Sequence, residues 1–165
     1  MVRGRWLLFS TMLGCAALVL SAPTPAADPA AQSLEDQIKA MRGDIMERRE
    51  SALKVLVTLD EAQAKAFWPL KSQYDAELKK LGEAREALLR EYVKVHKAMT
   101  PAQAKDIASR SLKLDDDRNA LRRKYFDLMA EQVSPVAAGQ FLQLERQFET
   151  MMDFKVQSIV PLAGP

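Results

Sequence analysis

Two five-residue stretches place an oxygen-bearing side chain three positions before a glutamine. Residues 59–63 read L-D-E-A-Q and residues 99–103 read M-T-P-A-Q, so Asp60 precedes Gln63 and Thr100 precedes Gln103. Such a pair could be a chemical site that the chain uses twice. The same spacing is also that of the capping box, in which the two side chains satisfy free backbone N–H groups at the start of a helix.

The flanking residues favour the capping interpretation. Leu59 and Met99 each place an apolar side chain just before the cap, where it can pack over the first helical turn. Pro101 takes the first helical position, where a missing N–H costs nothing. We therefore predict that helices begin after Asp60 and Thr100, and that neither pentapeptide is a chemical site.

The start of the chain has the order of a secretory signal peptide. Arg3 and Arg5 precede an apolar stretch, residues 6–20, which is followed by small and Pro-rich residues. The apolar stretch is too short for a comfortable membrane span. We predict that residues 1–27 are a signal peptide cleaved after Ala26 or Ala27, that residues 28–165 form one domain, and that the protein is periplasmic. An uncleaved anchor and a lipoprotein attached at Cys15 are the alternatives.

The charge balance changes once the signal peptide is set aside. The chain has 24 Lys and Arg residues and 22 Asp and Glu residues. Only Arg3 and Arg5 lie in the predicted signal peptide, and every acidic residue lies after it, so residues 28–165 carry no net charge. This balance favours neither nucleic acid nor an anionic membrane as a partner.

Residues that could catalyse a reaction or hold a metal are few. His96 is the only histidine, near a predicted helix end where the helix dipole favours it, and Cys15 is the only cysteine. The chain has no Gly-rich phosphate loop. Residues 115–117 are three aspartates, but consecutive helical residues point about 100° apart and do not easily share an ion. The methionines could suggest Cu(I) but are more often adaptable core. We therefore expect no enzyme activity, no cofactor and no bound metal.

The rest of the chain has the apolar period of amphipathic helices, with one short β-friendly run at residues 55–58. We predict four helices: Ser33 to Leu56, Asp60 to about Lys97 with a kink at Pro69, Pro101 to about Gln132, and Pro135 to about Ser158. Short turns between long helices make neighbours antiparallel, so the predicted fold is all-α, a long helical hairpin or thin four-helix arrangement.

The apolar stripe of the third helix is interrupted. Ser111 and Arg118 stand in it, so we predict that this helix is only half covered. A thin bundle covers such stripes poorly, which favours a homodimer.

The paired pentapeptides resemble the L-T-x-x-Q motifs of the Spy/CpxP family of bacterial periplasmic proteins. Residues 66–70, A-F-W-P-L, resemble a branch with an F-W-P-x-Y-x-x-Y motif, in which Tyr74 matches the second tyrosine and Lys71 replaces the first. Residues 141–145 and 159–162 also resemble that branch, and the likeness covers about residues 45–162. Two departures are the neutral charge, where the Spy-like cradle is basic, and Asp60, where the family usually has Thr.

The resemblance implies an all-helical, cradle-like dimer in the periplasm. Such proteins hold unfolded envelope proteins without ATP, restrain the sensor domain of an envelope-stress kinase, or bind metal. We expect the first of these functions and keep the other two as alternatives. The predicted surface for clients or partners consists of five aromatic residues: Phe67, Trp68, Tyr74, Phe141 and Phe148. Their burial as hairpin core is the alternative that the pattern leaves open.

Trp68 is the most informative of the five aromatic residues. It lies about 100° round the helix from Phe67, on a face that it shares with polar and charged residues. A large aromatic side chain on such a face needs a partner, which could be another helix, the dimer mate or a client. We therefore predict that Trp68 lies at an interface.

Overall fold

The computed structural model describes residues 29–163, with side chains described at residues 36, 39, 40 and 43–163. This part of the chain contains four α-helices and no strand, so the all-α prediction is confirmed. The helices are α1 (Pro29–Leu56), α2 (Glu61–Val95), α3 (Pro101–Gln132) and α4 (Pro135–Gln157), with a 3-10 turn (His96–Ala98) before α3. Within residues 29–163, no helix combines the length and apolarity that a membrane span needs. The predicted signal peptide lies outside the described residues.

The helix boundaries agree with the sequence patterns except at two ends. The described part of α1 spans Pro29–Leu56, so Ser33 lies inside the helix and is not its cap. α2 ends at Val95 rather than Lys97, because the chain tightens into the 3-10 turn there. The helix runs through Pro69 without ending.

Both pentapeptides form capping boxes. Asp60 Oδ1 accepts a hydrogen bond from Gln63 N at 2.8 Å, and Gln63 Oε1 accepts one from Asp60 N at 3.1 Å. Thr100 Oγ1 accepts from Gln103 N at 3.2 Å, and Gln103 Oε1 accepts from Thr100 N at 2.9 Å. Ser134 caps α4 by accepting from the backbone of residue 137 at 3.1 Å. Each helix start is therefore fixed locally, by side chains within four residues of it.

The helices pack as an antiparallel bundle in the spatial order α2, α3, α4, α1, and α1 makes fewer contacts with α2 than with α4. Ion pairs set the register between α2 and α3: as the residue number rises on α2 it falls on α3. These pairs are Glu77–Lys124, Arg85–Asp115 and Glu91–Arg110. The more open side of the bundle therefore lies between α1 and α2.

One end of the bundle holds a packed core to which all four helices contribute. Its aromatic rings meet edge to face: Tyr74 lies 5.4 Å from Tyr125 and 5.1 Å from Phe141 between ring centroids, and Phe67 lies 5.9 Å from Phe141. This geometry suits the ring quadrupoles. The other core residues are Leu53, Val57, Leu70, Leu121, Met129, Ala137, Ala138 and Leu144.

Three of the five predicted surface aromatics belong to this core, which corrects their assignment to a client surface. Phe67, Tyr74 and Phe141 are at most 1 % exposed, because the stripe they lie on faces three other helices at this end of the bundle. Trp68 is half-buried and packs edge-on against Phe67, with centroids 5.1 Å apart. Its partner in this structure is therefore the core of its own chain. Phe148 is half-buried at the edge of the core.

The capping boxes make a direct prediction for stability. We expect Asp60→Ala and Thr100→Ala each to lower the free energy of unfolding by about 1 kcal/mol, because each leaves an N-terminal backbone N–H of its helix without its side-chain acceptor. The matched controls are Asp60→Asn and Thr100→Ser, which keep an acceptor oxygen and lose little. Urea unfolding followed by circular dichroism measures the difference, and equal midpoints for the alanine variants and their controls would contradict it.

Candidate binding cleft

Beyond the packed core, the bundle leaves an open cleft of about 860 Å³. The cleft lies between the second halves of α2 and α4, residues 104–122 of α3 and the part of α1 around Ile45. Its volume falls within the range of small-molecule and peptide sites. It is larger than a second, shallower pocket on α4, which has a volume of about 580 Å³.

The walls of the cleft continue the apolar stripes of the core. On α2 the lining residues follow one another at spacings of three and four, which is one face of a helix. Gly82 widens this wall, because a Cβ atom there would meet nothing within 4 Å. The apolar side chains of the lining include Ile45, Leu78, Leu88, Leu89, Tyr92, Ile107, Phe148, Met152 and Val156. The same helix faces that are covered at the core end are therefore only partly covered here: Ile45, Leu88 and Ile107 are buried, while the rest of this set are half-buried.

The two interruptions of the α3 stripe lie in this cleft. Ser111 and Arg118 both line it, as does Arg122 one turn further on. Arg118 Nη1 bonds Glu149 Oε1 on α4 at 2.9 Å, and Arg122 pairs with the other oxygen of the same carboxylate. Burial lowers the pKa of Arg122, and the neighbouring charge of Arg118 lowers it further. The part of α3 that was predicted to be half covered, around Ser111 and Arg118, is thus a wall of the cleft that carries paired charges.

The described lining carries charges of both signs in nearly equal number. Five of its side chains are cationic and six are anionic. Several bond to one another, as Arg49 Nη2 does to Asp75 Oδ1 at 2.8 Å. The cleft therefore combines apolar walls with balanced charges of both signs, rather than presenting a basic or acidic field.

A buried ionic cluster forms the boundary between the core and the cleft. Arg49 on α1 bonds Glu145 on α4, from Nε to Oε1 at 2.5 Å, and Asp75 on α2, from Nη2 to Oδ1 at 2.8 Å. The Tyr74 hydroxyl donates to Glu145 Oε2 at 2.9 Å. Only 2 % of Arg49 and 5 % of Glu145 is exposed. We call Arg49, Tyr74, Asp75 and Glu145 the Arg49 cluster, and it joins three of the four helices.

The electrostatics of the Arg49 cluster reflect burial and close partners together. Burial raises the pKa of Glu145, while Arg49 and the Tyr74 hydroxyl act to lower it. Burial alone would lower the pKa of Arg49, but Glu145 and Asp75 more than offset it, so the pKa is raised and the guanidinium stays charged. Nη1 of Arg49 has no hydrogen-bond partner among the described residues, although the Glu50 carboxylate lies 3.5 Å away.

Sequence reasoning missed the Arg49 cluster, although a signal for it exists. Ile45, Arg49 and Leu53 follow one another at intervals of four on α1, so the arginine stands on the apolar stripe. Glu145 stands four residues after Phe141 on the buried face of α4 in the same way. A charged residue at a buried helical spacing indicates a paired partner on a facing helix.

The remaining residues weighed from the sequence make local contacts. Leu59 packs against the core, and Met99 lines the cleft. His96 Nδ1 lies 2.8 Å from the carbonyl oxygen of Val93, and its ring stacks on Tyr92. Asp117 bonds Lys113, with 2.7 Å between Oδ2 and Nζ. Among the residues described, no group of three or more His, Cys, Asp or Glu side chains could hold a metal ion.

Loss of the buried guanidinium is expected to be costly. Arg49→Met keeps most of the side-chain volume but leaves the Glu145 carboxylate buried without its cation, so we expect the free energy of unfolding to fall by about 3–5 kcal/mol. Adding Glu145→Gln should restore part of this loss, because it removes the unpaired buried charge. Arg110→Ala is the control: Arg110 is 45 % exposed and pairs at the surface, where solvent screens the interaction, so the loss should be much smaller than that of Arg49→Met. Equal losses for Arg49→Met and Arg110→Ala in urea unfolding would contradict the role of burial.

The buried phenol groups of Tyr74 and Tyr125 should make the free energy of unfolding fall at high pH. Burial and the hydrogen bond that its hydroxyl donates to Glu77, at 2.8 Å, raise the pKa of Tyr125 to about 12. Burial and the Glu145 carboxylate raise the pKa of Tyr74 as well. An unfolded tyrosine has a pKa of about 10, so above that pH the unfolded chain loses protons that the folded chain keeps.

The sign of the effect follows from this difference in bound protons. The contributions of both phenols are fully present below pH 10 and fall as the pH rises above it, and that of Tyr125 is lost as the pH approaches 12. We expect the urea midpoint to fall over this range, and to fall less steeply in Tyr125→Phe, which has no phenol to titrate at that position. Parallel curves for the wild type and this variant would show that Tyr125 does not contribute.

The chain was compared with known proteins in three ways. No model of a protein family, no curated protein and no solved structure matches it. The function proposed below therefore rests on the residues of the cleft itself.

Proposed function

We propose that this chain is an ATP-independent holding protein, which binds apolar stretches of unfolded polypeptides in its cleft. The observation that carries the proposal is an open cleft of about 860 Å³ whose walls continue the apolar stripes of the core. An apolar face that its own chain leaves uncovered is favourable to cover with another apolar group.

The length of the cleft suits a short stretch of polypeptide. Beyond Tyr74 and Asp75 of the Arg49 cluster, the lining on α2 extends from Leu78 to Tyr92, which is about 21 Å at 1.5 Å per residue. An extended chain advances about 3.3 Å per residue, so about six client residues fit along this wall. The balanced charge of the lining accepts a client flanked by charges of either sign.

Adaptable side chains in the lining suit clients of different sequence. Met46, Met99 and Met152 line the cleft, and each has a flexible thioether side chain that can fill gaps of different shape. Surfaces that bind many partners use such residues because the same surface can repack against each of them.

The sequence supports where this function would take place. The predicted signal peptide supports export to the periplasm, and the paired capping motifs resemble those of the Spy/CpxP family, whose Spy-like members hold unfolded envelope proteins. These features support envelope proteins as the clients. A cradle-like homodimer stays a prediction, as does the membership of that family.

An aggregation assay tests the proposal. At several-fold excess and without ATP, we expect the protein to suppress light scattering by two unrelated client proteins diluted from denaturant. Leu89→Asn puts an amide in the cleft wall and removes about 1 kcal/mol of apolar contact, so about five-fold more protein should be needed for half suppression.

The matched control is Leu112→Asn. Leu112 is 66 % exposed on α3 and is not among the cleft-lining residues, so its variant should protect clients as the wild type does. Equal protection by both variants would place client binding outside the cleft. No suppression for either client would reject the holding function and favour the alternative of a regulator that binds one sensor domain.

A further inference from the structure

The chain leaves the helical conformation after α4 and lies along one end of the cleft. We call residues 158–163, with the sequence S-I-V-P-L-A, the post-α4 segment; it is uncharged and mostly apolar. Val160 and Ala163 are among the residues that line the cleft. One end of the site is therefore built by a short non-helical stretch of the chain itself.

Specific contacts hold the post-α4 segment there. The hydroxyl of Tyr92, a cleft residue on α2, donates to the carbonyl oxygen of Pro161 at 2.5 Å. Next to α4, the backbone N–H of Val160 bonds the carbonyl oxygen of Val156 at 3.2 Å. Val160 is half-buried whereas Leu162 is 90 % exposed. Val160 and Leu162 thus differ in burial, and the carbonyl of Pro161 between them bonds to the cleft wall.

These are the contacts that an unfolded client would make in the same place. A non-helical apolar stretch offers side chains to the walls and backbone carbonyls to a donor such as the Tyr92 hydroxyl. We infer that the post-α4 segment is an internal competitor, which covers one end of the cleft as an apolar client would and is displaced when a client binds. This inference rests on the proposed function and adds its regulation.

The segment can act in this way although its contacts are few. It has one hydrogen bond to α2 and one half-buried branched side chain, Val160, beside the cleft. It is joined directly to α4, and a short linker gives an attached group an effective concentration in the millimolar range. Weak contacts therefore suffice to hold it in place, and a client with more apolar residues can displace it.

Two single substitutions in the post-α4 segment separate this role from a merely structural one. Val160→Asn places an amide where the segment contacts the cleft, and Leu162→Asn makes the same change at a side chain exposed to solvent. The probe is a fluorescein-labelled peptide with the sequence of residues 158–163, titrated with the full chain and followed by fluorescence anisotropy. We expect Val160→Asn to bind the peptide about three- to ten-fold more tightly than the wild type, because its own segment no longer competes.

Leu162→Asn should bind the peptide as the wild type does. A third variant, Tyr92→Phe, removes only the hydroxyl that bonds Pro161, and its affinity should change by less than that of Val160→Asn because the peptide loses the same bond. Far-ultraviolet circular dichroism checks that all variants keep their helices; if Val160→Asn does not, Val160→Ala replaces it with about half the expected gain.

The outcomes distinguish this inference from the proposed function. If Val160→Asn binds the peptide no more tightly than the wild type, or if no variant binds it, the post-α4 segment is not a competitor. Suppression of client aggregation by the wild type would then leave the holding function standing. If the wild type protects neither client and Leu89→Asn changes nothing, the proposed function fails in the aggregation assay, independently of the peptide titration.

Discussion

The burial of the Arg49–Glu145 pair is the constraint on which the arrangement of this bundle depends. Its guanidinium and carboxylate are almost completely removed from water, so each needs its partners at hydrogen-bond distance. Those partners come from α1, α2 and α4. Because α1 makes few backbone-level contacts with α2, charged side chains such as Arg49 and Asp75 bridge that side of the bundle.

A buried pair of this kind contributes little net stability over an apolar pair, but it fixes register. If α1 slipped by one turn, Ile45 or Leu53 would face Glu145, which would leave that buried carboxylate without the guanidinium. An apolar stripe alone tolerates such a slip, because one aliphatic side chain replaces another. The cluster therefore selects one position of α1, and in doing so sets where the packed core stops and the cleft begins.

The helix boundaries could be predicted because their causes are local. Each cap bonds to a backbone N–H within four residues, so a five-residue stretch of sequence is enough to predict it. The caps are Asp60, Thr100 and Ser134. The polar residues Ser111 and Arg118 on the apolar stripe of α3 likewise predicted that this face is only half covered. That prediction needs no information about which helix packs against it.

The apolar periodicity of a helix could not predict which other helix packs against its stripe, or where along the stripe it does so. Phe67 and Phe148 both lie on apolar stripes, yet the first is buried at the core end and the second lies in the cleft. That difference depends on where four helices meet in space, over separations of tens of residues. Arg49 and Glu145 are 96 residues apart, and periodicity within one helix carries no information about the other.

Because the charges of the cleft nearly balance, the proposed binding depends on apolar burial more than on long-range charge attraction. Arg118 and Arg122 share the Glu149 carboxylate, so much of the positive charge in the walls is already paired within the protein. Long-range attraction to an acidic or basic client is correspondingly small, and it is further screened at physiological salt. Selection among clients then depends on how much apolar surface a stretch of chain can bury, which is the property that distinguishes an unfolded polypeptide from a folded one. The post-α4 segment sets a lower limit on that area, because a client must cover more of the cleft than this segment already does.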